Sequence, residues 1–159
     1  MFRGLNGIRK TVDFRAATVA GLAAGTAYVV MMEIDTRLSG KKLDDLILLG
    51  WPLVKDKRHA KAAGIAPHLM NSVSLAMLYG ATGARKLPGP GWFRGLVSTS
   101  VETVGLYPTA ILENHHPAIR EGTLDRFWNW PAFWLSVPRH VVFGLTLGAL
   151  YERLAKEPS

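Results

Sequence analysis

Four apolar stretches, separated by polar or charged connections, account for most of the chain. No charged residue occurs from Ala16 to Met32, from Phe127 to Pro138 or from Val141 to Tyr151. Uncharged runs of this length are unusual in soluble helices and are typical of segments that cross a lipid bilayer. The pattern therefore predicts one all-α integral membrane domain with four transmembrane helices, at about 16–34, 67–84, 92–112 and 134–154.

The second and fourth spans repeat one arrangement of residues. In each, a His stands close behind a Pro, Leu residues follow seven and ten positions after the His, and a Tyr follows eleven positions after it. The equivalent pairs are His68/His140, Leu75/Leu147, Leu78/Leu150 and Tyr79/Tyr151. A segment used twice in this way indicates an internal repeat.

The first and third spans extend the repeat. Gly25 stands eight residues before Glu33, and Gly105 stands eight residues before Glu113. With the matched second and fourth spans, this pattern predicts two tandem helical hairpins that form a four-helix bundle. Hairpins with the same orientation would be parallel repeats, related by an axis along the membrane normal.

Small residues and one proline predict how the spans pack. Gly21 and Gly25 are four residues apart in the first span, and Gly144 and Gly148 are four apart in the last. Glycines at this spacing let another helix approach closely. The third span should bend at Pro108, because the proline ring removes a backbone hydrogen bond.

Three other segments have the character of a membrane surface. Residues 43–51 are apolar but too short to span, which predicts an interfacial helix anchored by Trp51. We expect the basic segment from Met1 to Arg15 to lie on the membrane surface, and the first span to be a retained anchor without a cleavage site. An aromatic belt typical of a bilayer interface precedes the last span, at Phe127, Trp128, Trp130, Phe133 and Trp134.

The charge distribution favours lipid as the partner. The net charge is +7, and the Lys and Arg residues cluster at the ends of apolar runs, which suits anionic headgroups better than nucleic acid. Nine Lys and Arg residues lie on each side of the predicted membrane. Those on the side of the termini occupy shorter segments, which favours cytoplasmic termini in a bacterial inner membrane. The mean hydropathy is only +0.13, so a soluble nucleic-acid-binding protein remains an alternative.

Four residues near one predicted membrane face are candidate metal ligands. If the hairpins pair two-fold, Glu33, Glu113, His68 and His140 would converge, and helical bundles hold di-metal centres with such groups. The usual Glu-x-x-His spacing is absent, and there is no Cys to supply a thiolate. The alternative is that the carboxylates are solvated helix ends and each His makes one interhelical hydrogen bond. His68 and His140 are also candidate cofactor ligands, for a cofactor that stays unknown.

Glu102 and Arg139 are predicted to form an intramembrane ion pair. Antiparallel neighbours would place them at a similar depth, roughly 13–15 Å from one helix end, where a charge needs a partner. Such a pair would be structural or part of a proton or substrate path. The repeat starts the fourth helix near Pro138, however, and that start would leave Arg139 near the surface.

Three parts of the chain form a recognisable pattern: Gly-Leu-Ala-Ala-Gly at 21–25, Leu43-Asp44-Asp45-Leu46 followed by Gly50, and the run from His140 to Tyr151. With these parts, the sequence resembles a broad group of small bacterial four-helix inner-membrane proteins of uncharacterised function. The resemblance implies an inner-membrane four-helix bundle and supplies no catalytic residue.

Three functions stay open. No nucleophile elbow, phosphate-binding glycine loop or dinucleotide fingerprint occurs, so we favour a non-enzymatic role. The leading hypothesis is an accessory or structural subunit of a larger membrane complex, with lipid and other membrane subunits as partners and no nucleic acid. The second is a metal- or cofactor-binding membrane protein that uses His68 and His140. The third is a small transporter or channel with a path lined by Glu102 and Arg139.

Overall fold

The computed structural model describes residues 12–155, and every regular element in that range is helical. A 3-10 turn, Tyr107–Thr109, connects the fifth helix to the sixth. Residues 1–11 of the basic segment predicted to lie on the membrane surface fall outside the described residues. The helices are α1 (Phe14–Ser39), α2 (Asp45–Val54), α3 (Lys57–Ala81), α4 (Gly83–Lys86), α5 (Gly91–Leu106), α6 (Ala110–Glu113), α7 (Pro117–Arg120) and α8 (Trp130–Leu154).

Local capping sets the ends of the first two helices. The Asp13 side chain accepts a hydrogen bond from the Ala16 backbone N–H and starts α1. Gly40 ends it in the left-handed conformation, with φ at 65°, and donates its N–H to the Thr36 carbonyl. The Asp44 side chain starts α2 by accepting hydrogen bonds from the backbone N–H groups of Leu46 and Ile47. These are preferred residues at helix starts and ends.

The four longest helices pack side by side in the order α3, α1, α8 and α5. α1 therefore lies between α3 and α8, and α8 lies between α1 and α5, while α2 packs on α3. Within the described residues, α3 and α5 share no extensive contact and are joined through the short α4. This arrangement leaves one side of the helix assembly open between α3 and α5.

Glycines bring the helix backbones together. A Cβ placed on Gly21 would lie 2.8 Å from the Val73 Cα of α3, and one placed on Gly148 would lie 2.9 Å from the Gly95 Cα of α5. The close approach predicted for the glycines of the first and last spans is thus confirmed. Gly95, which the sequence analysis did not single out, supplies the matching surface on α5.

The predicted match between Gly25 and Gly105 is not reflected in the packing. A Cβ on Gly25 would meet the Ser72 side chain, whereas one on Gly105 would meet nothing within 4 Å. Thr99 contacts Gly144, the residue that the repeat makes equivalent to Ser72. Thr99 rather than Gly105 therefore takes the position on α5 that Gly25 takes on α1. The tandem repeat as a whole stays a prediction.

Several predicted helix bounds are wrong. The helix that we predicted over 67–84 begins at Lys57, because Asp56 caps it and Pro67 is accommodated inside it. The helix that we predicted over 134–154 begins at Trp130, where Asn129 caps it. The helix that we predicted over 92–112 ends at Leu106, and Pro108 sits in the 3-10 turn that follows, which is the predicted interruption.

Only some of these helices have the composition of a membrane span. Among the described residues, α1 and α8 are long and apolar enough to cross a membrane by length and composition. α5 has 16 residues and α3 begins with a charged segment. Four transmembrane helices are therefore not established by helix length and composition, and α2 is the short apolar helix expected after the first span.

Candidate functional site: a buried ion-pair network beside a polar cavity

Arg139 is the centre of a buried ion-pair network between α8 and α1. Its Nε and Nη2 atoms each donate to one carboxylate oxygen of Asp35, both at 2.6 Å. The exposed fractions of the two side chains are 3% and 6%. Two parallel charge-assisted hydrogen bonds fix both the distance and the orientation of the guanidinium. The pair therefore ties the C-terminal part of α1 to α8.

Asp45, the first residue of α2, joins the network from a third helix. Its Oδ2 lies 3.5 Å from Nη1 of Arg139 and accepts a hydrogen bond of 2.6 Å from the Tyr28 hydroxyl. The Arg139 guanidinium thus faces two carboxylates, and the Tyr28 hydroxyl donates a hydrogen bond to the second of them, Asp45. The network fixes α2 against both α1 and α8.

The predicted pair of Glu102 with Arg139 is wrong. Arg139 lies nine residues after Trp130, the first residue of α8, and so roughly 13.5 Å along the helix. Arg139 is buried, with 2% of the residue exposed, but its partner comes from α1. The reason is that α8 packs on two helices, and Asp35, rather than the α5 residue Glu102, reaches the guanidinium.

A polar cavity of about 320 Å³ lies next to this network. Its wall is formed by the turn around Pro108 and by helices α1, α2, α3, α5, α6 and α8. Apolar side chains cover part of the wall, among them Leu48, Leu75, Leu106 and Phe143. Its polar lining is formed by Tyr28, Asp45, His68, Asn71, Ser72, Glu102, Thr103, Tyr107, Thr109, Glu113, Ser136 and His140.

The two predicted histidines line this cavity on either side of Tyr28. The ring centroids of His68 and His140 lie 5.3 Å and 5.2 Å from that of Tyr28. Nε2 of His68 is 3.2 Å from the Gly25 carbonyl of α1, which makes an interhelical hydrogen bond. Nδ1 of His140 is 2.8 Å from the Ser136 carbonyl within its own helix. His68 thus matches the structural alternative, whereas the hydrogen bond of His140 is intrahelical.

The predicted metal site of Glu33, Glu113, His68 and His140 is not formed. Glu113 and both histidines line the cavity, but Glu33 does not. Glu33 instead pairs with Lys61 and, at 3.7 Å, with Arg37. No group of three or more His, Cys, Asp and Glu side chains in residues 12–155 has the geometry to hold a metal ion. The prediction failed because α1 turns Glu33 toward the charged start of α3.

Lys61 forms a second ion cluster at this end of the protein. Its ammonium contacts the Glu33 carboxylate and lies 2.8 Å from Oδ2 of Asp44. Partial burial by itself lowers the pKa of Lys61. The hydrogen bonds to Asp44 and Glu33 raise the pKa and outweigh the effect of burial, so the net change is upward. Residues 57–61 therefore form the first turn of α3, and Lys61 anchors it to α1 and to the start of α2.

Three residues of the network were not predicted from the sequence. None of Asp35, Asp45 and Tyr28 was a candidate site residue. The available signal was Arg139 itself, because a buried arginine requires a carboxylate on one of its neighbours. Asp35 follows one apolar run and Asp45 precedes another, and a partner for a buried arginine is expected at such positions.

Comparisons with known proteins give a family and no activity. The model of a family of unknown function, DUF6789, matches residues 11–159. No curated protein and no solved structure matches the chain. The match agrees with the expected membership in an uncharacterised family, while the bacterial origin stays a prediction.

Proposed function

The chain belongs to the family of unknown function DUF6789, and we propose that it is a non-catalytic integral membrane protein that serves as an accessory subunit of a larger membrane assembly. Its partners in this proposal are lipid and the helices of other membrane subunits, and nucleic acid is not one. We place it in the bacterial inner membrane with both termini in the cytoplasm.

One observation supports the membrane placement: the helix assembly buries several polar side chains beside its apolar core and exposes large apolar side chains on its outside. The polar side chains of Asp35, His68, Ser72, Thr99 and Arg139 are buried. Large apolar side chains are exposed on the outside of all four long helices. They include Val19, Leu22, Val30 and Ile34 on α1, Ile65, Met70 and Leu78 on α3, Val101 and Val104 on α5, and Trp130 and Trp134 on α8.

This distribution suits lipid as the solvent. Soluble monomers rarely expose contiguous apolar surface over several elements, whereas lipid tails impose no cost on it. The most apolar 18-residue windows of α1 and α8 are only 39% and 28% buried. A core helix of a soluble protein would be mostly covered by its neighbours. In our proposal α3 and α5 cross the membrane too, because they complete the walls around the buried charges.

The accessory role is supported by how the polar groups are used. The buried charges of Asp35 and Arg139, together with Asp45, are engaged in ties between helices. The glycine surfaces of α1 and α8 are already occupied by α3 and α5. What remains on the outside is a large apolar surface, which is the type of surface that other membrane subunits cover.

Two measurements test the two parts of this proposal separately. Membranes from cells that express the full chain are washed with alkaline carbonate, and we expect the protein to stay in the pellet. Extraction in a mild detergent followed by a native gel should show a band much larger than the 17.4 kDa chain. Release by carbonate would refute the membrane placement. A stable lone monomer on the gel would refute the accessory role and leave the placement standing.

A small transporter is the second candidate, and the polar cavity favours it. Glu102 and Glu113 line the cavity, whereas Arg139 lies behind its wall among the carboxylates. A path would therefore use the glutamates and not the predicted pair. Flux of a solute through proteoliposomes that falls in Glu102→Gln would support transport, and flux equal to that of empty vesicles would exclude it.

A further inference from the structure

The open side between α3 and α5 forms a groove with two contiguous halves. The polar cavity of about 320 Å³ is one half, and a second cavity of about 300 Å³ lies toward α4. Leu75, Glu102 and Phe143 line both cavities, so the two halves meet at these residues. α8 forms the floor along the whole length, through His140, Phe143 and Leu147.

The two halves differ in chemistry. The half toward α4 is largely apolar, with Leu78, Val97, Val101 and Leu147 in its wall and Lys86 of α4 also in its lining. The other half presents carboxylates, imidazoles and hydroxyls. A groove with an apolar end and a polar end fits a molecule with the same division, which is an amphiphile.

The charges at the polar end select the headgroup. Asp45 is engaged by Arg139 and by the Tyr28 hydroxyl. Glu102 and Glu113 line the same cavity, and their carboxylates make no hydrogen bond or ion pair within the described residues. Two carboxylates without a protein partner at the margin of an apolar groove are complementary to a positively charged donor.

We propose that the groove between α3 and α5 binds a long-chain amine from the membrane, with its ammonium group in the cavity that Glu102 and Glu113 line and its alkyl chain along Leu78, Val97 and Leu147. The ammonium supplies the donors that the two carboxylates lack. The chain covers the apolar wall that α3 and α5 leave open. This inference rests on the membrane placement proposed above, because the membrane is the source of the ligand.

The test uses purified full-length protein in a steroid-based detergent, whose rigid body does not resemble an alkyl chain. Dodecylamine, dodecanol and dodecanoic acid are titrated separately at pH 7, and bound molecules are counted by native mass spectrometry. We expect one dodecylamine per chain, with the alcohol and the acid binding at least about tenfold more weakly. Loss of one charge-assisted hydrogen bond weakens binding by about tenfold.

Variants locate the two ends of the ligand. Glu102→Gln and Glu113→Gln should each weaken dodecylamine binding about tenfold and leave dodecanol binding unchanged. Val97→Trp, which fills the apolar half, should weaken both. The matched control is Glu121→Gln, which removes the charge of an exposed glutamate outside the cavity lining and should change neither. If Glu102→Gln does not fold, Glu113→Gln in the short α6 carries the same test.

Equal binding of the three probes, or an unchanged dodecylamine affinity in both glutamate variants, would overturn the proposal. The result is distinguishable from a failure of the membrane placement. If carbonate releases the chain from membranes but the chain still binds dodecylamine through Glu102, the groove proposal stands and the membrane is not the source of the ligand. If the chain stays in the membrane but binds the three probes equally, the groove proposal alone is refuted.

Discussion

Removing the Asp35 carboxylate should destabilise the protein far more than removing an exposed charge. In Asp35→Ala, the Arg139 guanidinium loses two hydrogen bonds of 2.6 Å and keeps only the Asp45 contact at 3.5 Å. Two bonds to charged groups at about 1.5–3 kcal/mol each give roughly 3–6 kcal/mol. The remaining contact with Asp45 and the chance of new partners in the unfolded state place the expected loss near the lower end, about 3 kcal/mol.

The assay is reversible unfolding in mixed micelles with increasing denaturing detergent, followed by circular dichroism. Arg37→Ala on the same helix is the matched control, because the Arg37 side chain is 80% exposed and contacts Glu33 at 3.7 Å. A pair of this kind contributes about 0–1 kcal/mol. Replacing both partners, in Asp35→Leu with Arg139→Leu, should recover most of the loss, since an apolar pair leaves no unpaired charge.

Two results would refute this reasoning. The first is an unfolding free energy of Asp35→Ala within about 1 kcal/mol of the wild type, the range of an exposed pair. The second is a double variant that is as unstable as the sum of the two single variants, because the cost would then lie in lost packing and not in an unpaired charge.

Three smaller effects follow from the same contacts. Gly148→Leu should separate α5 from α8, since even a Cβ there would lie 2.9 Å from the Gly95 Cα, and a loss of about 1–3 kcal/mol is expected from overpacking. Gly105→Ala, where an added Cβ meets nothing within 4 Å, should not lower the free energy of unfolding in the same assay. Tyr28→Phe removes the 2.6 Å hydrogen bond to Asp45 and should cost about 1.5–3 kcal/mol in detergent unfolding; a change below about 0.5 kcal/mol would show that the bond is not formed.

The apolar runs were enough to predict the helices but not their ends. α1 and α8 include the predicted first and fourth spans, because long uncharged runs have few alternatives to a helix. The start of α3 was missed for the opposite reason. Residues 57–61 are rich in charge and indicate a solvated turn by composition, yet Asp56 caps them as a helix and Lys61 pairs with Glu33 and Asp44. Charge partners from distant segments are not visible in a local pattern.

The candidate site was predicted in part for a similar reason. Helical periodicity gives the depth of Arg139 along its own axis but not which helix lies beside it, so the choice between Glu102 and Asp35 depended on the tertiary order of the helices. His68, His140 and Glu113 do line one cavity. Glu33 was assigned to the same site from an internal repeat, and the packing of Gly25 and Thr99 shows that the repeat does not set the register of α1 and α5.

The central claim is that the outer faces of the long helices contact lipid, and cysteine accessibility tests it most directly. The chain has no native Cys, so a single Cys can be placed at Val30 or Val104, which are 53% and 65% exposed, or at the exposed loop residue Glu121. In sealed and in opened membrane vesicles, a water-soluble maleimide should label the Glu121 variant when its side is accessible and should leave the Val30 and Val104 variants unlabelled until detergent is added. Labelling of the two valine variants as fast as that of the Glu121 variant, without detergent, would mean that these faces meet water and would contradict the account.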